Sequence, residues 1–225
     1  MIRGGAGSGE SGYTNGMKAA IGFALSILAV ASAAVAASPY DVIPFALSAE
    51  EQRQVANGVV IARIVPLDGM AQSGVAIGTI AAPIGEVIRG IEDVKQHTKY
   101  FPRLVEARVV SGSGNLRVVH QKIDVPFPLQ DRHYDITVTS SRVSTPRDVW
   151  ASSWTYVKGS GNITDTTGGW TLTPIDANTT LAYYHVHADI GTWLPQWLLN
   201  MANRSTLPDV ITAMRRYCRD HPGGR

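Results

Sequence analysis

From Ser48 onward the apolar residues recur first at helical spacing, then over a long middle stretch at alternate positions, then at helical spacing again. Ser48 suits a helix N-cap with Glu51 at the capping-box position, and Asn57-Gly58 suits that helix's end. Val59–Val65 is β-branched and reads as a strand stopped by Pro66, Asp68-Gly69 reads as a turn, and Gly74–Ile80 as a second strand. Pro83 fits the first turn of a helix over Ile84–Ile91, where Ile84, Val87, Ile88 and Ile91 fall on one face. A polar stretch from Glu92 to Tyr100 ends at Phe101-Pro102. Six strand candidates follow: Leu104–Val110, Leu116–Val125, Arg132–Val143, Asp148–Val157, Trp170–Thr173 and Thr179–Asp189. Turn-forming residues separate them, including Gly112-Ser113-Gly114, Pro126-Phe127-Pro128 and a loop over Gly159–Gly169. Leu194, Trp197, Leu198 and Met201 return to helical spacing. Pro208 then opens a last helix with Leu207, Ile211, Met214 and Tyr217 on one face, and Arg215, Arg216 and Arg219 near its C-terminus complement the helix dipole.

Short spacers between successive strands imply an antiparallel meander, so the fold class is α+β. A sheet of this size curls, and its concave face needs a cover. The closing helix has the apolar stripe to provide one. A curled sheet gripping one helix leaves a hollow wherever the lining side chains are small.

Charged residues are 17% of the chain against a typical share of about 25%, and hydrophobic residues are 44%. That excludes disorder for the bulk of the sequence. A net charge of +2 with no basic run excludes a nucleic-acid partner recognised by charge. The single cysteine, Cys218, excludes an internal disulfide and a multi-cysteine metal site. Residues 1–16 are Gly- and Ser-rich and read as a disordered leader. Lys18, the apolar run Ala19–Ala34 and Ala34-Val35-Ala36 form a signal-peptide pattern over 17–36; an uncleaved anchor is the alternative. The expected division is therefore leader 1–16, signal 17–36, linker 37–47, one domain over 48–220 and a tail at 221–225. Localisation is expected to be periplasmic or secreted, in a bacterium.

Little in the sequence points to catalysis. Strand alternation puts His185, His187 and Asp189 on one face, a pattern that suits zinc only with a further ligand, and His120 and His133 lie on other strands. Cys218 sits in the last turn of the final helix, where the dipole has the wrong sign to stabilise a thiolate. There is no G-x-S-x-G elbow, and the Gly-rich stretches lie between strands rather than before helices. No catalytic residue, metal ligand or cofactor is assigned. Arg132, Arg142 and Arg147 offer charge for a ligand carboxylate or phosphate, with surface solvation as the plainer role. Trp150, Trp154, Tyr156, Trp170, Tyr183, Tyr184, Trp193 and Trp197 concentrate on the late strands and the closing segment, where they either pack the core or line a ligand tunnel.

Three stretches carry a resemblance: Gly78–Pro83 with Val87, Glu92-Asp93 and Tyr100–Glu106; Gly169–Pro174 with Asn178–Tyr184; and Asp189–Leu198 followed by Leu207-Pro208. From about Ser48 to Asp220 the chain resembles the START-related (SRPBCC) helix-grip superfamily, which includes polyketide cyclase/dehydrase and coenzyme-Q-binding-like groups. The resemblance implies a curved antiparallel sheet of about seven strands around a long C-terminal helix. It also implies a tunnel for a lipid, sterol, quinone or polyketide. The residues expected to line it are Trp154, Trp170, Tyr184, Trp193, Trp197, Met201, Ile211 and Met214. Trp193–Trp197 suits a lid or contact with a membrane surface. Three functions stay open: a carrier of a hydrophobic molecule; a cyclase/aromatase- or hydrolase-type enzyme using His185, His187 or Tyr183; and an envelope protein with a protein partner. The oligomeric state is not set by the sequence.

Overall fold

The computed structural model describes residues 38–44, 46–66, 72–143, 148–191 and 206–224. The expected leader and signal, the Asp68-Gly69 turn, Thr145-Pro146, Arg147 and the helical segment carrying Trp193, Trp197 and Met201 lie outside the described residues.

Eight strands form one antiparallel sheet: β1 (Ile61–Pro66), β2 (Gln72–Ile80), β3 (Leu104–Ser113), β4 (Leu116–Ile123), β5 (Arg132–Val143), β6 (Val149–Tyr156), β7 (Asp165–Asp176) and β8 (Thr179–Asp189). Their order is β1-β2-β8-β7-β6-β5-β4-β3. Among the described residues four α-helices accompany them: α1 (Ala49–Ala56), α2 (Ile84–Glu92), the single turn α3 (His97–Tyr100) and α4 (Leu207–Asp220). The architecture is α+β with a curved sheet gripping a C-terminal helix, and the strand count is eight rather than about seven.

The capping box at α1 forms as its sequence indicates. The Glu51 backbone N–H donates to Ser48 Oγ at 3.2 Å, and the Ser48 backbone N–H donates to the Glu51 carboxylate at 2.8 Å. β7 is the element most extended beyond its sequence signal, because Gly168 and Gly169 of the expected loop lie inside it. A Cβ at Gly168 would sit 2.2 Å from the Trp154 ring, and one at Gly169 would sit 2.4 Å from the Ser152 carbonyl. These glycines serve close approach between strands rather than a turn.

Alternation assigns the two faces. Ala76, Gly78, Ile80, Leu172, Ala182 and Tyr184 face the concave side, where α2 and α4 cover them. Ile77, Leu181 and Tyr183 face the convex side, where they pack with Val55 of α1 and with Ile43 and Leu47. In the stretch expected as a linker, the 3₁₀ turn Pro39–Val42 is followed by Ile43 and Leu47, both buried against the convex face. Apolar burial at these two positions, with Tyr40 and Val42 packed beside them, holds this short stretch on the sheet. Both faces of β2 and β8 being covered explains their uninterrupted burial from Ala76 to Ile80 and from Thr180 to Tyr183. Thr79 and Thr180 keep their hydroxyls satisfied there by donating to the Val55 and Ala82 carbonyls at 3.1 and 2.8 Å.

Candidate ligand cavity

Small residues let α4 settle deeply on one half of the concave face. A Cβ at Gly74 would lie 2.7 Å from Leu207, and one at Gly78 would lie 2.9 Å from Ile211. On the other half, over β4 to β6, no helix among the described residues settles in this way. A cavity of about 340 Å³ remains there, at the small end of ligand pockets.

The strand register builds the cavity floor. One row across the sheet runs Gly112, Arg117, Val138, Trp154, Gly168, Val186, Gly74. A second runs Ser140, Ser152, Trp170, Tyr184, Ala76. Val119 pairs Ile136, and Gln121 pairs Tyr134, on the same face. The roof comes from Ile91 at the end of α2, Val94 and His97 beyond it, Phe101, and Leu207 and Val210 in the first turns of α4. Aromatic edges close one wall: Trp170 lies 4.9 Å from Tyr184 and 6.4 Å from Phe101, centroid to centroid.

The lining is mostly apolar with a sparse polar set. Burial pushes the hydroxyls of Tyr134 and Tyr184 above the ordinary phenol range, so both stay protonated. Neither has a hydrogen-bond partner among the described residues. His97 lies under the roof with Nε2 3.1 Å from the Ile91 carbonyl. Its desolvation pulls it down to about 4, so it is neutral at pH 7 and a weak base.

A model of polyketide cyclase/dehydrase and lipid transport proteins matches residues 80–215 of this chain. The chain belongs to that family. The polyketide cyclase/lipid transport match runs from the end of β2 into α4, so it contains nearly the whole cavity wall. An uncharacterised protein of Pseudomonas aeruginosa is 28% identical over 114 residues, 48% of this chain, and the match spans 56% of that protein's length. Among solved structures, a STAR-related lipid transfer protein from Xanthomonas axonopodis is similar with a TM-score of 0.62 at 19% identity, covering 71% of this chain and 93% of that one. Human STARD10 has a TM-score of 0.58 at 11% identity, with 79% and 82% covered. The ZhuI aromatase/cyclase of a Streptomyces species has a TM-score of 0.51 at 17% identity, with 73% and 99% covered. At these identities the structures show a shared fold.

Within this family fold the sequence-predicted residues separate into three groups. Trp154, Trp170 and Tyr184 line the cavity. Ile211 and Met214 do not: they are fully buried in the packed half, Ile211 against Gly78 and Met214 against Gly90. The apolar stripe of α4 meets the sheet along most of its length, and only its first turn reaches the cavity. Trp193, Trp197 and Met201 lie outside the described residues.

His185, His187 and Asp189 share one face as expected, but it is the convex one, opposite Tyr184 and Val186, which line the cavity. His185 stacks on Tyr183 at 5.5 Å, and His187 Nδ1 lies 3.4 Å from Ser73 Oγ. His120 pairs with Asp135 at 2.6 Å. Among the described residues no group of three or more His, Cys, Asp or Glu is placed to hold a metal ion. The acid/base reading that rested on His185 and His187 therefore has no histidine of that pair in the cavity. Cys218 is buried, and desolvation with Glu86 nearby raises its thiol to about 11, which leaves it unreactive.

Several lining residues escaped the sequence reading: Arg117, Val119, Gln121, Ile136 and Val138, and His97 and Phe101 in the α2–β3 connection. The β4 and β5 residues had a usable signal. Arg117, Val119, Gln121 and Ile123 alternate on one face, as do Tyr134, Ile136 and Val138. Of the three arginines considered, Arg132 lines the cavity, Arg142 is paired with Asp148 through Nε at 2.7 Å and exposed, and Arg147 lies outside the described residues.

Proposed function

We propose that this protein binds and carries a hydrophobic small molecule or lipid in the cavity between its curled sheet and α4, and that it does so after export. The carrying observation is a cavity of about 340 Å³ with a lining dominated by Val, Ile, Leu and aromatic side chains. The lipid-transport proteins that share the fold support this reading, as does the family to which the chain belongs. Export is supported by the apolar run after Lys18 and the Ala34-Val35-Ala36 site.

The test is native mass spectrometry of the gently purified full chain, with displacement of an apolar fluorescent dye by a series of straight-chain alcohols. Affinity should rise roughly fourfold per added methylene, since each contributes about 0.8 kcal/mol on burial, until the cavity is full. Val138→Trp should fill the floor and abolish the series. A chain that co-purifies with no ligand and binds no alcohol would end the carrier reading. Export is checked by N-terminal sequencing of the protein made in a bacterium, which should begin at Ala37.

A further inference from the structure

The sheet has two edges, and they are finished differently. β1 is six residues long and ends at Pro66. It has α1 and α4 against it, and its Arg63 is ion-paired with Glu51. Short length, proline and covering elements all shield a sheet edge. β3 is ten residues long and has no proline, and its outer edge pairs with nothing among the described residues. From Val105 to Ser113 every residue but Ala107 is exposed. Val105, Val109 and Val110, with Leu116 at the start of β4, leave large apolar side chains in water on this one hairpin.

Bulges interrupt β3 at Val105 and Val110, but the run Glu106–Val109 between them is regular against Lys122–Val119 of β4. That run has a symmetry of its own. Glu106 and Arg108 flank Ala107, and Val105 and Val109 flank them in turn. Glu106 and Arg108 lie opposite Lys122 and His120, on the convex face, since Gln121 and Val119 of the other parity line the cavity. Both are exposed, and neither has an ion pair among the described residues.

Two copies of one strand paired antiparallel about a two-fold axis set opposite each other only residues that share a face, so the axis passes between a residue and its own copy. The regular run allows four such registers. An axis at Glu106 or at Arg108 sets that charge against itself, and like charges directly opposite are unfavourable. An axis at Val109 sets Arg108 against the partner's Val110 and Glu106 against the partner's Gly112, leaving both charges unanswered. An axis at Ala107 sets Glu106 against the partner's Arg108 twice over, brings Val105 near the partner's Val109, and puts the smallest side chain of the run at the centre.

We propose that this protein forms a dimer in which the β3 edges of two copies pair antiparallel about Ala107, continuing one sheet across both. The free N–H and C=O groups of the edge supply the affinity, and the two Glu106–Arg108 pairs fix the register. The two-fold runs perpendicular to the sheet, so both concave faces, and both cavities, lie on the same side. The dimer stands independently of what the cavity holds.

The experiment is sedimentation velocity of the full chain across a wide concentration range, which should show a monomer–dimer equilibrium. Glu106→Arg and Arg108→Glu, each alone, place like charges opposite at both reciprocal positions and should weaken the dimer roughly tenfold. Combining the two substitutions restores opposite pairs and should restore dimerisation. Ala107→Cys sets two thiols across the axis with Cα atoms about 5 Å apart, within disulfide reach, and should give a covalent dimer on oxidation. Val109→Cys, roughly 14 Å from its own copy, should not. The native Cys218 is buried and does not contribute. A monomer at every concentration, a dimer equally strong in both single charge variants, or cross-linking at Val109→Cys as efficient as at Ala107→Cys would each overturn the proposal. If the charge variants do not fold, the unaltered chain and the two cysteine variants still decide.

Discussion

The two halves of one concave face are built from the same sheet and end in opposite states. Where the Ile80, Leu172 and Ala182 ends of β2, β7 and β8 lie under α2 and the body of α4 the face is packed: these residues share one buried cluster with Ile211, Met214 and Tyr217. Over β4 to β6 it is hollow, with Val119, Ile136 and Val138 as its floor. Hydrophobicity does not separate them, since both are apolar. What separates them is where the backbone lacks side chains. Gly74, Gly78 and Gly90 let helices approach to contact distance on one side, and the β-branched residues of β4 and β5 hold the roof away on the other.

That contrast predicts unequal penalties for the same deletion. Ile80→Ala should lose about 2–5 kcal/mol in urea unfolding, because its surroundings are close-packed. Ile136→Ala should lose distinctly less, because part of its contact shell is already absent. Equal losses would mean that the hollow half is filled in solution. Next in size, Gly90→Ala puts a Cβ 2.4 Å from Met214 and 2.7 Å from Tyr217, and should cost about 1–3 kcal/mol through overpacking between α2 and α4. Unchanged stability there would show that α4 has freedom to shift.

His97 probes the roof of the hollow half. Its folded value of about 4 lies below the ordinary 6.5 because burial disfavours the charged form. Above pH 6.5 the group costs nothing. As pH falls from 6.5 toward 4 the unfolded chain takes a proton that the folded chain refuses, so stability declines through that window. The loss should be about 1–2 kcal/mol between pH 7 and 5, and His97→Phe should flatten that part of the profile. An NMR titration giving His97 an ordinary value would mean that water reaches the roof. The smallest effect lies across the sheet: Ser48→Ala removes the capping box of α1 and should cost about 1 kcal/mol, without changing ligand binding.

The solid half was largely legible in the sequence. The spacing of Leu207, Ile211, Met214 and Tyr217 marks a buried helix face, and all four are buried. The eight strand candidates correspond to eight strands, because alternation and turn residues are local signals. The hollow half was legible only in part. Trp154, Trp170 and Tyr184 were visible as late-strand aromatics, but parity cannot say which face of a sheet looks inward. That choice depends on where α4 lands, which is a long-range outcome. The same blindness put His185 and His187 under consideration for chemistry and let Arg117 pass as one more charge on a strand. Ile211 and Met214 were placed at the ligand for a related reason: an apolar helix stripe looks the same whether it faces a void or a wall.

The indole of Trp154, part of the cavity floor, rests on the bare backbone of Gly168. One ring of the lining thus sits on a site without a side chain of its own. Exchanging that ring for a smaller one would lengthen the chamber while the strands beneath keep their pairing. A single codon can accordingly change the volume of the chamber, with the rest of the scaffold untouched.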